Sequence, residues 1–431
     1  MKKSKSTKQI LGLMLGYSLA LIIAGLVLGN FSETVAGLGK IITSPAQLTI
    51  DYFKIGTPAG TFLNSGLVGL ACVLVFLVSG FELNGLSLMS FFLTIGFSFF
   101  GINVMNIWPC FLGVWLFSRV AKVTFASVVN IALFATCLSP FVSEMVCRYP
   151  VFEGVLAAQI AAGIVIGVIA GFLMGVLCQY SPNLHKGYTL YSAAAVAGFI
   201  AILIYSTMYK AVGIEAPTNT DIGDPQVMIV NIFAIVVCVL TIIAGFFING
   251  KSFKGYLSVL KSTGYKCDFT KSAGVGLTFI NIGVFGLFAT AYYNITGGNL
   301  TGVTMGCIIC LLAVSPCGAH ILNMLPIMIG YAIASTFCAF ELTTQAIIVG
   351  LCFAGALVPI SGSFGSIAGI IAGIMHACMV TSVVTFHGGF CLYNGGFTSG
   401  ITAILLVAVL TYFFKPSEKL SLLPKRKTAD E

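Results

Sequence analysis

An internal repeat limits the folds open to this chain of 431 residues more than any other feature. Asp51 and Lys54 recur as Asp268 and Lys271, an offset of 217 positions. The same offset holds as far as Gly113 and Gly330 and relates a series of matched residues: Thr61/Thr278, Asn64/Asn281, Gly66/Gly283, Asn106/Asn323 and Pro109/Pro326. A constant register over such a long stretch indicates two copies of one unit, the first and the second half of the chain.

The repeat extends to both sides of this stretch. The apolar run at 21–30 matches a similar run at 241–250, so we expect the first run to be a retained span and not a cleaved leader. Farther along, the offset changes to 219 and then to 202, as in Pro140/Pro359 and His185/His387. The first half therefore holds 17 extra residues between Glu144 and Gly163, which we predict to form a loop.

The composition indicates which solvent the two halves face. Apolar residues make up 58% of the chain and charged residues only 8%, whereas soluble domains carry about 25% charged residues. Apolar runs recur along the sequence, several of them close to the roughly 20 residues that an α-helix needs to cross a bilayer. The sequence thus predicts an all-α polytopic membrane protein with about 10–14 spans, in contact with lipid over most of its surface.

The charges predict how the two halves are inserted. Basic residues concentrate at 2–8, 251–271 and 415–427, beside apolar runs, so we expect them to meet anionic lipid headgroups and not nucleic acid. The first run, 9–29, follows lysines, whereas its equivalent at 226–249 precedes lysines. Because basic segments stay in the cytoplasm, the halves should have opposite orientations, with both termini cytoplasmic in a bacterial inner membrane.

This topology predicts four regions and an odd number of spans in each half. The regions are a first transmembrane repeat at 1–212, an extracytoplasmic linker at 213–225, an inverted second repeat at 226–414 and a cytoplasmic basic tail at 415–431. Up to seven apolar runs can be counted in a half. The runs 86–101, 102–118, 301–317 and 320–337 are short and interrupted by proline or glycine, so five spans plus half-helices or re-entrant segments is the alternative.

Two duplicated polar motifs accompany these broken segments, where inverted-repeat transporters bind their solutes. The first motif is Thr61, Asn64 and Gly66 with Thr278, Asn281 and Gly283, and the second is Asn103, Asn106 and Pro109 with His320, Asn323 and Pro326. Asparagine offers hydrogen-bond donors and an acceptor without a charge. We predict that these side chains replace the hydration shell of a small polar solute, while the glycines and prolines break the helices. The alternative is that each asparagine only bonds a neighbouring helix.

Several function classes lack their usual signatures. The apolar runs carry almost no carboxylates, and the chain has neither a phosphate-binding glycine loop nor an H-E-x-x-H motif. Cys307 and Cys310 form a C-x-x-C without a second pair, so we predict no metal and no cofactor. This favours a non-enzymatic transporter or channel, with homo-oligomerisation left open. Two alternatives are a subunit of a larger membrane complex and an intramembrane enzyme that uses His320, His376 or His387 as a base.

The duplicated pattern resembles a bacterial family of membrane proteins of unknown function. It is also similar, more distantly, to urea transporters and to the related membrane subunits of sodium-pumping quinone reductases. That similarity is carried by two short segments in each half: Asn64-Ser-Gly66 with Gly101-Ile-Asn103, and Asn281-Ile-Gly283 with Gly318-Ala-His320. The second resemblance implies inverted halves of about five spans plus half-helices, and a small amide-like solute.

Overall fold

The computed structural model describes residues 4–217, 222–423 and 425–426, and the chain is almost entirely helical there. The helices of the first half are α1 (Lys5–Leu28), α2 (Phe31–Ile42), α3 (Tyr52–Ser79), α4 (Gly85–Phe97), α5 (Trp108–Val120), α6 (Phe125–Ala135), α7 (Pro140–Cys147), α8 (Leu156–Leu177), α9 (Ser181–His185) and α10 (Ser192–Tyr205). A π-helical turn, Ser206–Lys210, extends α10.

The second half repeats the order of the long helices. Its helices are α11 (Val227–Ile248), α12 (Tyr256–Leu260), α13 (Phe269–Ser272), α14 (Val275–Ile295), α15 (Gly302–Val314), α16 (Ile321–Ser335), α17 (Gln345–Ala354), α18 (Val358–Phe364), α19 (Ser366–Val383) and α20 (Asn394–Phe413). Beyond α20, the two-residue strands β1 (Phe414–Lys415) and β2 (Lys425–Arg426) pair antiparallel.

Ten spans account for the long helices in the described part of the chain. Nine helices are long and apolar enough to cross a bilayer, and the bent pair α6 and α7 adds one more. Each half contributes five spans: α1, α3, α6 with α7, α8 and α10 in the first half, and α11, α14, α17 with α18, α19 and α20 in the second. This confirms an all-α polytopic fold at the lowest of the expected span counts.

The short helices α4 and α5 form a re-entrant hairpin and not two further spans. α4 runs parallel to α6, because Ser90 and Thr94 bond Asn130 and the Leu133 carbonyl in the same order along both helices. α5 runs parallel to α8, because Pro109 contacts Gly167 and Phe117 contacts Gly175. α7 runs antiparallel to α8, because the end of α7 at Val146 contacts the early residue Gly163 of α8. α5 therefore returns to the face from which α4 started.

The second half contains the equivalent hairpin, α15 with α16. Here α16 runs parallel to α19, since Pro326 contacts Gly369 and Ile327 contacts Gly373. With five spans in each half, the two hairpins start from opposite faces. We call the face at which α1 begins the N-terminal face and the other the opposite face. The α4–α5 hairpin starts from the N-terminal face and the α15–α16 hairpin from the opposite face.

The two hairpins meet on a pseudo-two-fold axis. α4 and α15 lie antiparallel in close contact, with the Gly96 carbonyl against Gly306. The thiol of Cys310 points to the carbonyl of its own repeat equivalent, Leu93, at 3.9 Å. A residue can contact its own equivalent only on the symmetry axis, so the axis passes between α4 and α15, and it relates halves of opposite orientation.

The same unusual backbone conformation occurs at equivalent positions of the two halves, as a kink inside α3 and at the residue before α14. Thr57 has φ 61° and ψ 161°, and its equivalent Gly274 has φ 89° and ψ 159°. This region of φ and ψ is almost restricted to glycine and costs other residues about 1–3 kcal/mol. Thr57 keeps the conformation, so the packing of the first half must offset the strain.

The extra residues of the first half are only partly a loop. The connection from α7 to α8 covers residues 148–155, and the remaining extra residues form the first turns of α8. The prediction of a loop over the whole insertion was therefore wrong for 156–162. Apolar side chains such as Leu156 and Ile160 continue the helix there, facing outward as in the rest of α8.

Candidate functional site

Asn64 and Asn281 bind the turns of the two hairpins. The Asn64 amide nitrogen donates to the carbonyls of Ser98 and Ile102, both at 2.9 Å. The Asn281 amide nitrogen donates to the equivalent carbonyls, those of Ser315 at 3.3 Å and Ala319 at 2.8 Å. Both asparagines thus hold carbonyls that the break in the helix leaves free, which is what buried backbone requires at membrane depth.

The second motif closes the same turns from within. The Asn106 side chain accepts from the Asn103 backbone N–H at 2.9 Å and donates to the Gly101 carbonyl at 3.1 Å. Asn323 repeats this with the His320 N–H and the Gly318 carbonyl, both at 2.9 Å. The predicted asparagines are therefore brought together at the hairpin turns, and their amides are bonded to backbone.

The remaining predicted residues pack around these turns. The hydroxyls of Thr61 and Thr278 donate to the carbonyls four residues earlier, at 2.8 and 2.9 Å. Gly66 and Gly283 let α3 and α14 approach the backbones of α1 and α11. Pro109 lies in the first turn of α5 and Pro326 lies inside α16. Both breaks come before these prolines, at 98–107 and 315–320, so the prolines mark helices that follow the breaks.

Two aspartates that the motif analysis left out join the two halves reciprocally. Asp268, at the start of α13, accepts from the Gly85 N–H at the start of α4, at 3.2 Å. Asp51, at the start of α3, lies against the hydroxyl of Thr301 and the N–H of Gly302 at the start of α15. Each half therefore supplies a carboxylate to the positive end of the other half's re-entrant helix. The recurrence of both aspartates was the available signal.

Asp51 is the more deeply placed of the two carboxylates. It is fully buried, and it precedes the first residue of its span. Burial raises the pKa of Asp51 from 3.8 to about 6, although hydrogen bonds from Phe53, Thr301, Gly302 and Gly223 oppose the rise. Asp268 lies within 3.9 Å of the Lys271 ammonium, and its side chain is 25% exposed. The two equivalent carboxylates thus differ in how much water reaches them.

Four aromatic rings fill the space between the hairpins and the last span of each half. This central aromatic cluster consists of Phe97, Tyr191, Phe353 and Tyr393. Tyr191 and Tyr393 are repeat equivalents whose ring centroids lie 5.0 Å apart, so they sit on the pseudo-two-fold axis. Phe97 lies 5.6 Å from Tyr393 and 5.7 Å from Phe353. The centre of the protein is therefore closed by aromatic side chains.

Some polar atoms beside the turns have no protein partner. The Tyr191 hydroxyl donates to the Cys310 carbonyl at 3.3 Å, whereas the Tyr393 hydroxyl is buried without a partner. The Tyr52 hydroxyl and the Asn103 side chain are also buried, and they interact with each other. An unmade hydrogen bond on a buried polar group costs about 1–3 kcal/mol. The Tyr393 hydroxyl therefore has a hydrogen bond to offer, which a movement of its neighbours would expose to a polar solute or to water.

The histidines bond to backbone and to neutral side chains. The His320 Nε2 donates to the Ser262 carbonyl at 2.8 Å, and the His376 Nε2 donates to the Gly395 carbonyl at 2.8 Å. The His387 ring lies 3.0 Å from the Asn394 amide oxygen. Among the residues that the structure describes, no group of three or more histidine, cysteine, aspartate or glutamate side chains is arranged as metal ligands would be.

A buried ion pair lies at the end of α7 toward the opposite face. The Arg148 guanidinium contacts the Glu144 carboxylate at 2.6 Å, and Glu144 is only 1% exposed. The Tyr209 hydroxyl also donates to Glu144, from the π-helical turn that ends α10. This pair has no charged equivalent in the second half, where Ser363 stands in place of Glu144.

Together, the ten spans, the two opposed hairpins and the shared axis define a polytopic membrane protein built from two inverted repeats. The family model of a protein of unknown function (DUF1576) matches residues 30–210 and 248–412, which is most of both halves. The chain belongs to this family, as the duplicated pattern indicated. No curated protein and no solved structure matches the chain, so the expected similarity to urea transporters is not shown.

Proposed function

We propose that this protein is a transporter or channel through which a small polar solute crosses the membrane between the two inverted halves. The observation that carries the proposal is the meeting of two opposed re-entrant hairpins on the pseudo-two-fold axis. Broken backbone at membrane depth is tolerated only inside protein or beside water, and in inverted-repeat transporters it marks the solute site.

The pathway would pass beside the hairpin turns and through the central aromatic cluster. In this proposal Asn64, Asn281, Asn106 and Asn323 position the turns by holding their backbone carbonyls. The four rings close the route in the present conformation, and the unpaired hydroxyl of Tyr393 offers the solute a hydrogen bond once they move. Displacement of these rings would open it.

The orientation in the membrane is part of the proposal. The basic segment 251–271 and the start of the basic tail at Lys415 lie on the N-terminal face. By the positive-inside rule this face is cytoplasmic, so both termini would lie in the cytoplasm of a bacterial inner membrane. Maleimide labelling of a cysteine placed at Lys254 in intact cells tests this, since only cytoplasmic placement protects it from an impermeant reagent.

The transport proposal is tested by solute flux in proteoliposomes. Purified protein is reconstituted, and shrinkage and reswelling are followed by stopped-flow light scattering for a panel of small neutral solutes. We expect at least one solute to equilibrate faster than in protein-free liposomes, and Phe97→Ala to speed it further by widening the closure. Tyr191→Phe is a matched control for Tyr393→Phe, because of these two equivalent tyrosines Tyr393 has the unpaired hydroxyl and Tyr191 the bonded one. If folded wild-type protein passes none of the solutes, the transport proposal fails.

A further inference from the structure

A basic pocket opens on the N-terminal face, where α5 ends and α6 begins. Its volume is about 410 Å³, and Arg119 and Lys122 are among the residues that line it. Both side chains are exposed, and neither makes an ion pair within the described part of the chain. The pocket therefore presents two positive charges that no carboxylate of the protein neutralises, at the edge of the bilayer.

An apolar cleft continues the basic pocket into the membrane. Its volume is about 460 Å³, and Phe125 lines both spaces, so they adjoin. Further walls of the cleft are Trp108, Leu112 and Trp115 of α5 and Ile164 of α8. These four large apolar side chains are each 39–45% exposed. The protein thus leaves an apolar cleft open to lipid directly beside a charged pocket.

The residues of α5 at the cleft and the pocket form one stripe. Trp108, Leu112, Trp115 and Arg119 follow one another at intervals of four, three and four positions, which places them on one side of the helix. At 1.5 Å per residue, the stripe from Trp108 to Arg119 is about 16 Å long. The hydrocarbon of one leaflet is about 15 Å thick, half of the bilayer core. The stripe therefore has the length of a lipid tail in the leaflet at the N-terminal face.

The contact between Arg119 and Trp115 indicates the level of a lipid headgroup. The Arg119 guanidinium lies 5.1 Å from the centre of the Trp115 ring. Tryptophan is enriched at the membrane interface, where its ring meets both tails and headgroups. Arginine can bind a phosphate through two parallel N–H groups. Trp115 and Arg119 therefore lie where the tail of a lipid would end and its phosphate would begin.

The equivalent part of the second half has neither the tryptophans nor the arginine. At the offset of 217, the positions of Trp108, Trp115 and Arg119 are taken by Leu325, Ala332 and Thr336. Because the halves are inverted, those residues belong to the other side of the membrane. The combination of charges and tryptophans is therefore confined to the N-terminal face, which the positive-inside rule makes cytoplasmic.

An anionic phospholipid matches both spaces at once. A free phosphate would leave the apolar cleft empty, and a zwitterionic lipid would bring its own cation close to Arg119 and Lys122. Among the described residues, no acidic side chain lines either space. A second copy of the chain that docked through the same surface would bring two sets of positive charges together. Charge and shape together therefore favour an anionic lipid.

We propose that the cleft and the pocket bind an anionic phospholipid of the leaflet at the N-terminal face. Its phosphate lies between Arg119 and Lys122, and one acyl chain lies along the stripe of α5. This proposal does not rest on the transport function.

Quenching of tryptophan fluorescence by brominated phospholipids tests the proposal, because both tryptophans of the chain lie in the cleft. The variant Trp108→Phe keeps Trp115 as the single reporter. It is reconstituted into phosphatidylcholine vesicles with increasing fractions of brominated phosphatidylglycerol or of brominated phosphatidylcholine. The two quenching curves give the binding constant of the anionic lipid relative to the zwitterionic lipid.

We expect the anionic lipid to bind roughly 5–25-fold more tightly, since each basic residue near an anionic headgroup contributes about fivefold. Arg119→Gln and Lys122→Gln should each lower the preference by about fivefold, and the double variant should nearly abolish it. Arg119→Lys keeps the charge and should retain most of the preference. The matched control is Lys251→Gln with Lys254→Gln, which removes the same charge from the same face and should leave the preference unchanged.

Four results would overturn the proposal. Equal quenching by both lipids would show that the site does not select anionic lipid. An equal loss of preference in the control and in the double variant at Arg119 and Lys122 would assign the attraction to general surface charge. The absence of quenching by either lipid in folded protein would mean that protein, such as a second copy, covers the cleft. Abolition of the preference by millimolar inorganic phosphate, but not by chloride at the same ionic strength, would assign the pocket to free phosphate.

Discussion

The buried carboxylate of Asp51 should make the stability of the protein depend on pH. Its pKa is raised from 3.8 to about 6 by burial. Each pKa unit corresponds to about 1.36 kcal/mol, so ionising this group in the folded protein costs about 3 kcal/mol relative to the unfolded chain. The folded state holds the proton more tightly, so the contribution to stability is complete below pH 3.8 and is lost as the pH rises through 6.

Between pH 5 and pH 8, about 1.4 kcal/mol of this contribution should disappear. Asp51→Asn imitates the protonated form at every pH, so the variant should be more stable than wild type by about 3 kcal/mol at pH 8 and by only about 1.6 kcal/mol at pH 5. The assay is unfolding of the detergent-solubilised protein across this pH range, with the difference between wild type and variant as the measured quantity. The subtraction removes the effects of the other titrating groups.

Asp268→Asn is the matched control, because Asp268 is the repeat equivalent with a lysine nearby and greater exposure. It shows how much of the effect comes simply from exchanging a carboxylate for an amide at the start of a re-entrant helix. If the difference between wild type and Asp51→Asn is also constant over this range, the carboxylate is not desolvated as described, and the reasoning is refuted.

Three further outcomes follow from the contacts described above. Gly274→Ala should destabilise the protein by about 1–3 kcal/mol, because its φ disfavours a side chain even though a Cβ there meets no atom within 4 Å. Thr57→Gly should not destabilise it. If the two variants lost the same stability in denaturant unfolding, the backbone at these positions would not be strained. Asn64→Ala should cost roughly 2–5 kcal/mol, measured in the same way, because it leaves buried carbonyls of the hairpin turn unpaired; a neutral result would assign the turn's stability elsewhere. Arg148→Met should lower the free energy of unfolding by about 3–5 kcal/mol, because it leaves the Glu144 carboxylate unpaired at 1% exposure. Adding Glu144→Gln should restore most of this stability. If the effects of the two substitutions were simply additive, the ion pair would not account for the loss.

Much of the architecture could be predicted because it depends on local and periodic features. The repeated register, the apolar runs and the basic segments were enough to predict a helical membrane protein with two inverted halves. Length alone could not decide whether the runs 86–101 and 102–118 cross the membrane or return. The contacts of Pro109 and Phe117 with α8 decide it, and they join residues far apart in sequence.

The candidate site was located more accurately than its chemistry was described. The duplicated asparagines do lie at the broken segments, as their position beside glycine and proline indicated. Their partners are backbone carbonyls 34 and 38 positions away, such as those of Ser98 and Ile102 for Asn64, and no sequence pattern identifies such acceptors. Whether a solute also contacts these residues stays a prediction.

The aspartates show the opposite case. Asp51 and Lys54, like Asp268 and Lys271, are three residues apart, a spacing at which side chains on one helical turn can interact. The Lys271 ammonium does lie 3.9 Å from Asp268, but each carboxylate also reaches the other half. A contact between halves depends on how the two units dock, which spacing within one unit cannot reveal.

The exchange of carboxylates between the halves has a bearing on how such a chain could have arisen. Each half supplies a charge to the other half's re-entrant helix, since the carboxylate at the start of α4 comes from Asp268 and the one at the start of α15 comes from Asp51. Before the gene was duplicated and fused, the ancestral polypeptide would have needed a sister molecule inserted upside down beside it. A dual-topology homodimer is therefore the simplest ancestor. The two halves, expressed as separate polypeptides in one cell, should assemble into the same inverted pair.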